Sequence, residues 1–120
     1  MKKSKGYKVV LNSCFGGFSL SKDAIQMLID KHGLDIDGDY GFVSNDDFGI
    51  VDDNIDAYRM DKRLISVVKK LGVDKASGKR SALRIVSVPD DVVDIHGWHI
   101  SDYDGCESVL QSHWVGWYEI

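Results

Sequence analysis

Hydrophobic positions along the chain alternate between strand-like and helix-like spacing. Tyr7-Lys8-Val9-Val10-Leu11 is a short run rich in β-formers, bounded by a loop holding Gly16 and Gly17, and it predicts a buried first strand. Ile25, Leu28, Ile29 and His32 then recur on one helical face. Ser19 or Ser21 can cap that helix and Gly33 sits where its left-handed end belongs, which predicts a helix over about Ser21 to His32. From Leu34 to Ala57 no period holds. Aspartate and glycine dominate there, and the stretch predicts a long loop, or an irregular hairpin around Tyr40-Gly41-Phe42-Val43.

The next helix is the clearest in the chain. Asp61 caps it, Leu64, Val67, Val68 and Leu71 form its apolar stripe, and Gly72 ends it. After a turn at Ser77-Gly78, Ala82 to Val88 predicts a strand, and Pro89-Asp90-Asp91 turns the chain into another, over about Val92 to Ile100. Cys106, Val109, Leu110 and His113 share a helical face, so Tyr103 or Asp104 is expected to open a third short helix. Trp114 to Ile120 reads as a last edge strand or an ordered tail. The element order predicts an α+β domain: a small mixed or antiparallel sheet with about three helices packed on one side.

Length and composition narrow the class. The chain has 120 residues, 43% of them hydrophobic and 28% charged, which suits one domain over 1–120, with an acidic loop or insertion at about 34–57. Tyr7 to Leu11 is too short for a signal-peptide core or a membrane span, so a cytoplasmic protein with no membrane partner is expected. Cys14 and Cys106, the two cysteines, are then expected to stay reduced. Charge is laid down in blocks. Residues 33–58 hold eight aspartates and no lysine or arginine, whereas residues 59–84 hold nine basic groups against two acidic ones. A basic segment can meet phosphates, and an acidic one can imitate them.

The loop from Asn12 through Ser13, Cys14, Gly16, Gly17 and Ser19 to Ser21 leads from a strand into a helix N-terminus, a place where free N–H groups and the helix dipole favour anions. It lacks the lysine and spacing of a P-loop and the third glycine of a dinucleotide fingerprint. Cys14 near a helix start could act as a nucleophile if its sulfur pointed at the helix amides, but catalysis would also need one of His32, His96, His99 or His113 as base. Metal patterns are weak. Cys106 and His113 would lie about 10 Å apart on a helix, and Asp35-Ile36-Asp37-Gly38-Asp39 departs from a calcium loop at Tyr40 and Asp46. Neither a metal nor another cofactor is expected.

The opening Val9-Val10-Leu11-Asn12-Ser13-Cys14-Phe15-Gly16-Gly17-Phe18-Ser19-Leu20-Ser21 resembles the N-terminal motif of a family of small proteins from tailed-phage and bacterial genomes. Arg59-x-Asp61, Leu71-Gly72, Val88-Pro89-Asp90-Asp91 and Tyr103-Asp104-Gly105 are similar too, whereas the acidic 34–57 stretch and the Trp114–Ile120 ending depart from the pattern. The resemblance implies a phage setting and brings no established activity. The favoured expectation is a non-catalytic, anti-defence or host-directed binding protein in the host cytoplasm. It would sequester a nucleotide-like anion or block a host or defence protein, with Asn12, Cys14, Gly16, Gly17, Ser19, Arg59, Tyr103 and Asp104 lining its site. The alternatives are a small hydrolase or transferase using Cys14, and an acidic nucleic-acid mimic acting through residues 35–56. Direct nucleic-acid binding is not expected, and a homo-oligomer is compatible with the aromatic-rich C-terminal end.

Overall fold

The computed structural model describes residues 7–14, 16–36, 41–52, 54–88, 98–103, 106–113 and 116–119. Strand β1 (Tyr7–Asn12) pairs antiparallel with β2 (Leu83–Val88), with Tyr7 opposite Val88 and Asn12 opposite Leu83. Between them run α1 (Lys22–His32), 3-10 turns at Asn45–Phe48 and Ala57–Met60, α2 (Lys62–Leu71) and the short α3 (Val73–Ala76). Strands β3 (Trp98–Tyr103), β4 (Cys106–His113) and β5 (Gly116–Glu119) form a second, antiparallel sheet in the order β3-β4-β5. The fold is α+β.

Strand β1 is the middle of the molecule because its alternation serves two cores. Val10 joins Leu83 and the buried faces of the helices, including Ala24, Ile25, Leu28, Leu64, Val67 and Val68. Val9 and Leu11 point the other way and pack with Val88, Trp98 and Val109. The two-stranded ribbon therefore lies between a helical layer and the three-stranded sheet, which is why both faces of β1 are apolar. Each fully buried valine or leucine of this kind contributes about 1.5–3 kcal/mol of transfer free energy.

The helix ends follow their local chemistry. Ser21 accepts a hydrogen bond from the Ala24 N–H at 3.1 Å, and left-handed Gly33 returns its own N–H to Ile29 at 3.1 Å. Asp61 accepts from the Arg63 N–H at 2.8 Å to open α2. Arg63 continues to the Phe48 carbonyl at 2.6 Å, which ties the acidic stretch to α2.

One expectation is overturned and two are drawn more closely. The helix expected over Cys106 to His113 is strand β4, and the third helix is α3 instead. Glu107 and Val109 are both buried while Cys106 and Ser108 are half-buried, so the segment has a period of two, disguised by a glutamate in an inward position. The described part of the Leu34–Ala57 stretch is irregular apart from its 3-10 turns, in keeping with the long loop expected there, and Leu34, Ile36 and Phe48 of it are core residues. The strand expected over Val92 to Ile100 runs over Trp98–Tyr103, its expected first part lying outside the described residues. Among the described residues, no helix is long and apolar enough to cross a membrane.

Candidate functional site

Strand β1 pairs with β2 along one edge, and its other edge meets side chains. Arg59 arrives from the Ala57–Met60 turn and Glu107 from β4, and they form a two-pronged ion pair at 2.7 and 2.9 Å with both side chains almost fully buried. The same pair serves the β1 backbone: Arg59 donates to the Val10 carbonyl at 3.2 Å, and the Asn12 N–H donates to Glu107 at 2.8 Å. Residues 10 and 12 present their backbone groups on one side of the strand, so the ion pair takes the place of a neighbouring strand. Arg84 of β2 adds a hydrogen bond to the Glu107 carbonyl at 2.9 Å. Three parts of the fold thus meet at Glu107.

Aromatic rings enclose the guanidinium. Its central carbon lies 3.6 Å from the centre of the Phe18 ring and 5.1 Å from that of Tyr58, while Phe48 stacks on Tyr58 at 5.9 Å. Burial alone would lower the Arg59 pKa, but the hydrogen bond and charge of Glu107 outweigh it and hold the group above its ordinary value. Arg59 Nε has no hydrogen-bond partner among the described residues.

Tyr58 and Asp61 give this region a pH signature. Burial raises the Tyr58 pKa above its ordinary 10.0, with the Arg59 charge opposing. For Asp61, burial pushes upward but the hydrogen bonds from Arg63 prevail, and the carboxyl titrates below its ordinary 3.8. The signs are opposite. The Tyr58 contribution is complete below pH 10.0 and is lost as pH rises toward the folded value; the Asp61 contribution is complete above 3.8 and is lost as pH falls through its lower one. Urea midpoints across pH should therefore fall at both ends. Tyr58→Phe should flatten the alkaline arm and Asp61→Asn the acid arm, and unchanged arms would show that neither group governs them.

Two of the other expected site residues, Asn12 and Ser19, are engaged by the protein's own chain. Asn12 is fully buried, and its amide donates to the Cys14 carbonyl at 2.7 Å and accepts from the Cys14 and Ala82 N–H groups at 3.2 and 2.8 Å. Ser19 is buried, and its carbonyl accepts from the Gly78 N–H at 3.0 Å and the Ser81 hydroxyl at 2.8 Å. A Cβ on Gly16 would overlap the Arg80 carbonyl, so this glycine admits the protein's own chain rather than a ligand. Gly17 has open space around it. Cys14 is an exposed free thiol, and the side chains of His96, His99 and His113 lie outside the described residues, as do Asp104 and the Tyr103 side chain. Among the described residues, no group of three His, Cys, Asp or Glu side chains could hold a metal ion.

A different place is open to a ligand. Between the start of β1 and the outer face of α2 lies a surface pocket of about 640 Å³. Tyr7, Met60 and Ile65 give it an apolar lining, and Lys8, Lys62, Lys69 and Lys70 surround them, with Ser66 between. Among the described residues, no carboxylate lines it. Lys8 is steadied by donating to Ser87 at 2.7 Å. The α2 stripe that packs into the core leaves Lys62, Ser66, Lys69 and Lys70 on its exposed side, so one amphipathic helix supplies both a core face and most of the pocket wall. The basic 59–84 block contains these lysines, but their meeting with Tyr7 and Lys8 depends on the packing of α2 against β1. Compared with known proteins, the chain matches no family model, no curated protein and no solved structure.

Proposed function

We propose that this chain is a non-catalytic binding protein that holds a small anion with a flat apolar body, as a nucleotide has, in the pocket between β1 and α2. The observation that carries the reading is four lysines around an apolar lining, with no carboxylate among the described residues that form it. Such a wall attracts phosphate groups, while Tyr7, Met60 and Ile65 can cover a base or similar ring. The polar groups that would serve catalysis near β1 are engaged elsewhere: Arg59 with Glu107, and Asn12 with Cys14 and Ala82. In the phage setting suggested by the opening motif, tight holding without turnover would withdraw a nucleotide-like signal from a host or its defence.

Titration calorimetry with ATP and with pyrophosphate tests this. ATP is expected to bind more tightly than pyrophosphate and to be recovered intact. The Lys69→Glu/Lys70→Glu variant is expected to bind ATP at least about tenfold more weakly, or about 1.4 kcal/mol. No measurable ATP binding, equal affinity in the lysine variant, or conversion of ATP would overturn the reading.

A further inference from the structure

The acidic stretch carries an exposed apolar pair that the proposed ligand pocket does not explain. Val51 and Ile55 are 102% and 79% exposed, unusual for large aliphatic side chains on a folded surface. They border a shallow depression of about 360 Å³ that also includes Asp46 and Asp52. The segment bearing them is held in place: Asn54 donates to the Trp98 carbonyl at 3.0 Å, Asn45 donates to the Asn54 carbonyl at 3.0 Å, and the Tyr58 N–H donates to Asn45 at 2.8 Å. An apolar pair presented this way loses little conformational freedom when covered.

The complement of this surface is present in the same chain. An apolar ridge flanked by aspartates matches an apolar pocket flanked by lysines, in charge and in kind. At about 640 Å³ the pocket is large enough for a small organic body, and so for two aliphatic side chains. We propose that the protein self-associates through these unlike surfaces, with Val51 and Ile55 of one copy entering the lysine-rimmed pocket of the next. The contact is heterologous, so repetition closes a ring or extends a chain. An anion in the pocket competes with the ridge for the same lysines.

Sedimentation and light scattering over a range of concentrations, at low and at high salt, test the assembly. The wild type is expected to grow in mass with concentration at low salt and to shrink at high salt. Val51→Ser/Ile55→Ser removes the ridge and Lys69→Glu/Lys70→Glu damages the pocket, and each variant alone should be monomeric. Mixed, they should form a one-to-one heterodimer, because the first keeps a pocket and the second keeps a ridge. A wild type that stays monomeric, or variants that fail to pair, would overturn self-association; a basic partner protein would then be sought for the ridge. The ligand reading is tested separately. The Val51→Ser/Ile55→Ser variant should bind ATP at least as tightly as the wild type, so ATP binding without assembly defeats only this inference, and assembly without ATP binding defeats only the other.

Discussion

Glu107→Ala is expected to lower the free energy of unfolding by about 3–5 kcal/mol, read from urea or thermal unfolding, because it leaves a buried charge without its partner. Arg59 is 5% exposed and cannot recover its lost hydrogen bonds from water without opening the core. The Asn12 N–H loses its acceptor as well. Whole domains are stable by about 5–15 kcal/mol, so this one substitution removes a large share. Replacing both partners, as in Arg59→Met/Glu107→Leu, should restore part of the loss, since apolar residues of similar volume often substitute well for a buried pair. Recovery stays incomplete because Val10 C=O and Asn12 N–H do not regain the hydrogen bonds that Arg59 and Glu107 gave them, at about 1–3 kcal/mol for each such buried bond lost. A loss below about 1 kcal/mol for Glu107→Ala would show that the pair behaves like a surface ion pair. The latch between β1 and the second sheet would then rest on apolar packing, including Val9 and Leu11 against Trp98, Ile100 and Val109.

That buried pair also marks where sequence reasoning stopped. The elements set by local chemistry were legible: Ser21 and Gly33 bound α1, Asp61 and Gly72 bound α2, and the β-forming runs became β1 and β2. Strand β4 was not, because its inward positions combine Glu107 with Val109 while Cys106, Val109, Leu110 and His113 mimic a helical face. A period of two starting from Glu107, one of the chain's two glutamates, is the local signal. Arg59 stood out, but its acceptor lies 48 positions further on, so nothing nearby announces that its charge is answered inside. The lysine pocket has the same difficulty. Lys62, Lys69 and Lys70 form a visible basic run, yet the pocket exists only where α2 meets Tyr7 and Lys8.

The acidic stretch gives the second large effect, at Gly41. Gly41→Ala is expected to cost about 2–5 kcal/mol, combining about 1–2 kcal/mol for an L-residue in the left-handed region with about 1–3 kcal/mol for overpacking. Gly41 has φ of 77°, and a Cβ there would run into the Leu20 carbonyl oxygen. The Leu20 N–H in turn donates to the Gly41 carbonyl at 2.8 Å, so this crossing fastens the acidic stretch to the entry of α1. Gly49→Ala is the control. It shares a left-handed φ, 70°, but has open space around the new Cβ, so it should show only the conformational part of the loss. Equal losses at the two glycines would mean that the Leu20 crossing yields easily, and that the stretch is held mainly by Phe48 in the core and Arg63 on its carbonyl. A clearly larger loss at Gly41 would make the acidic stretch an integral layer of the fold. Val51 and Ile55 would then stand on a rigid support, as a docking ridge requires.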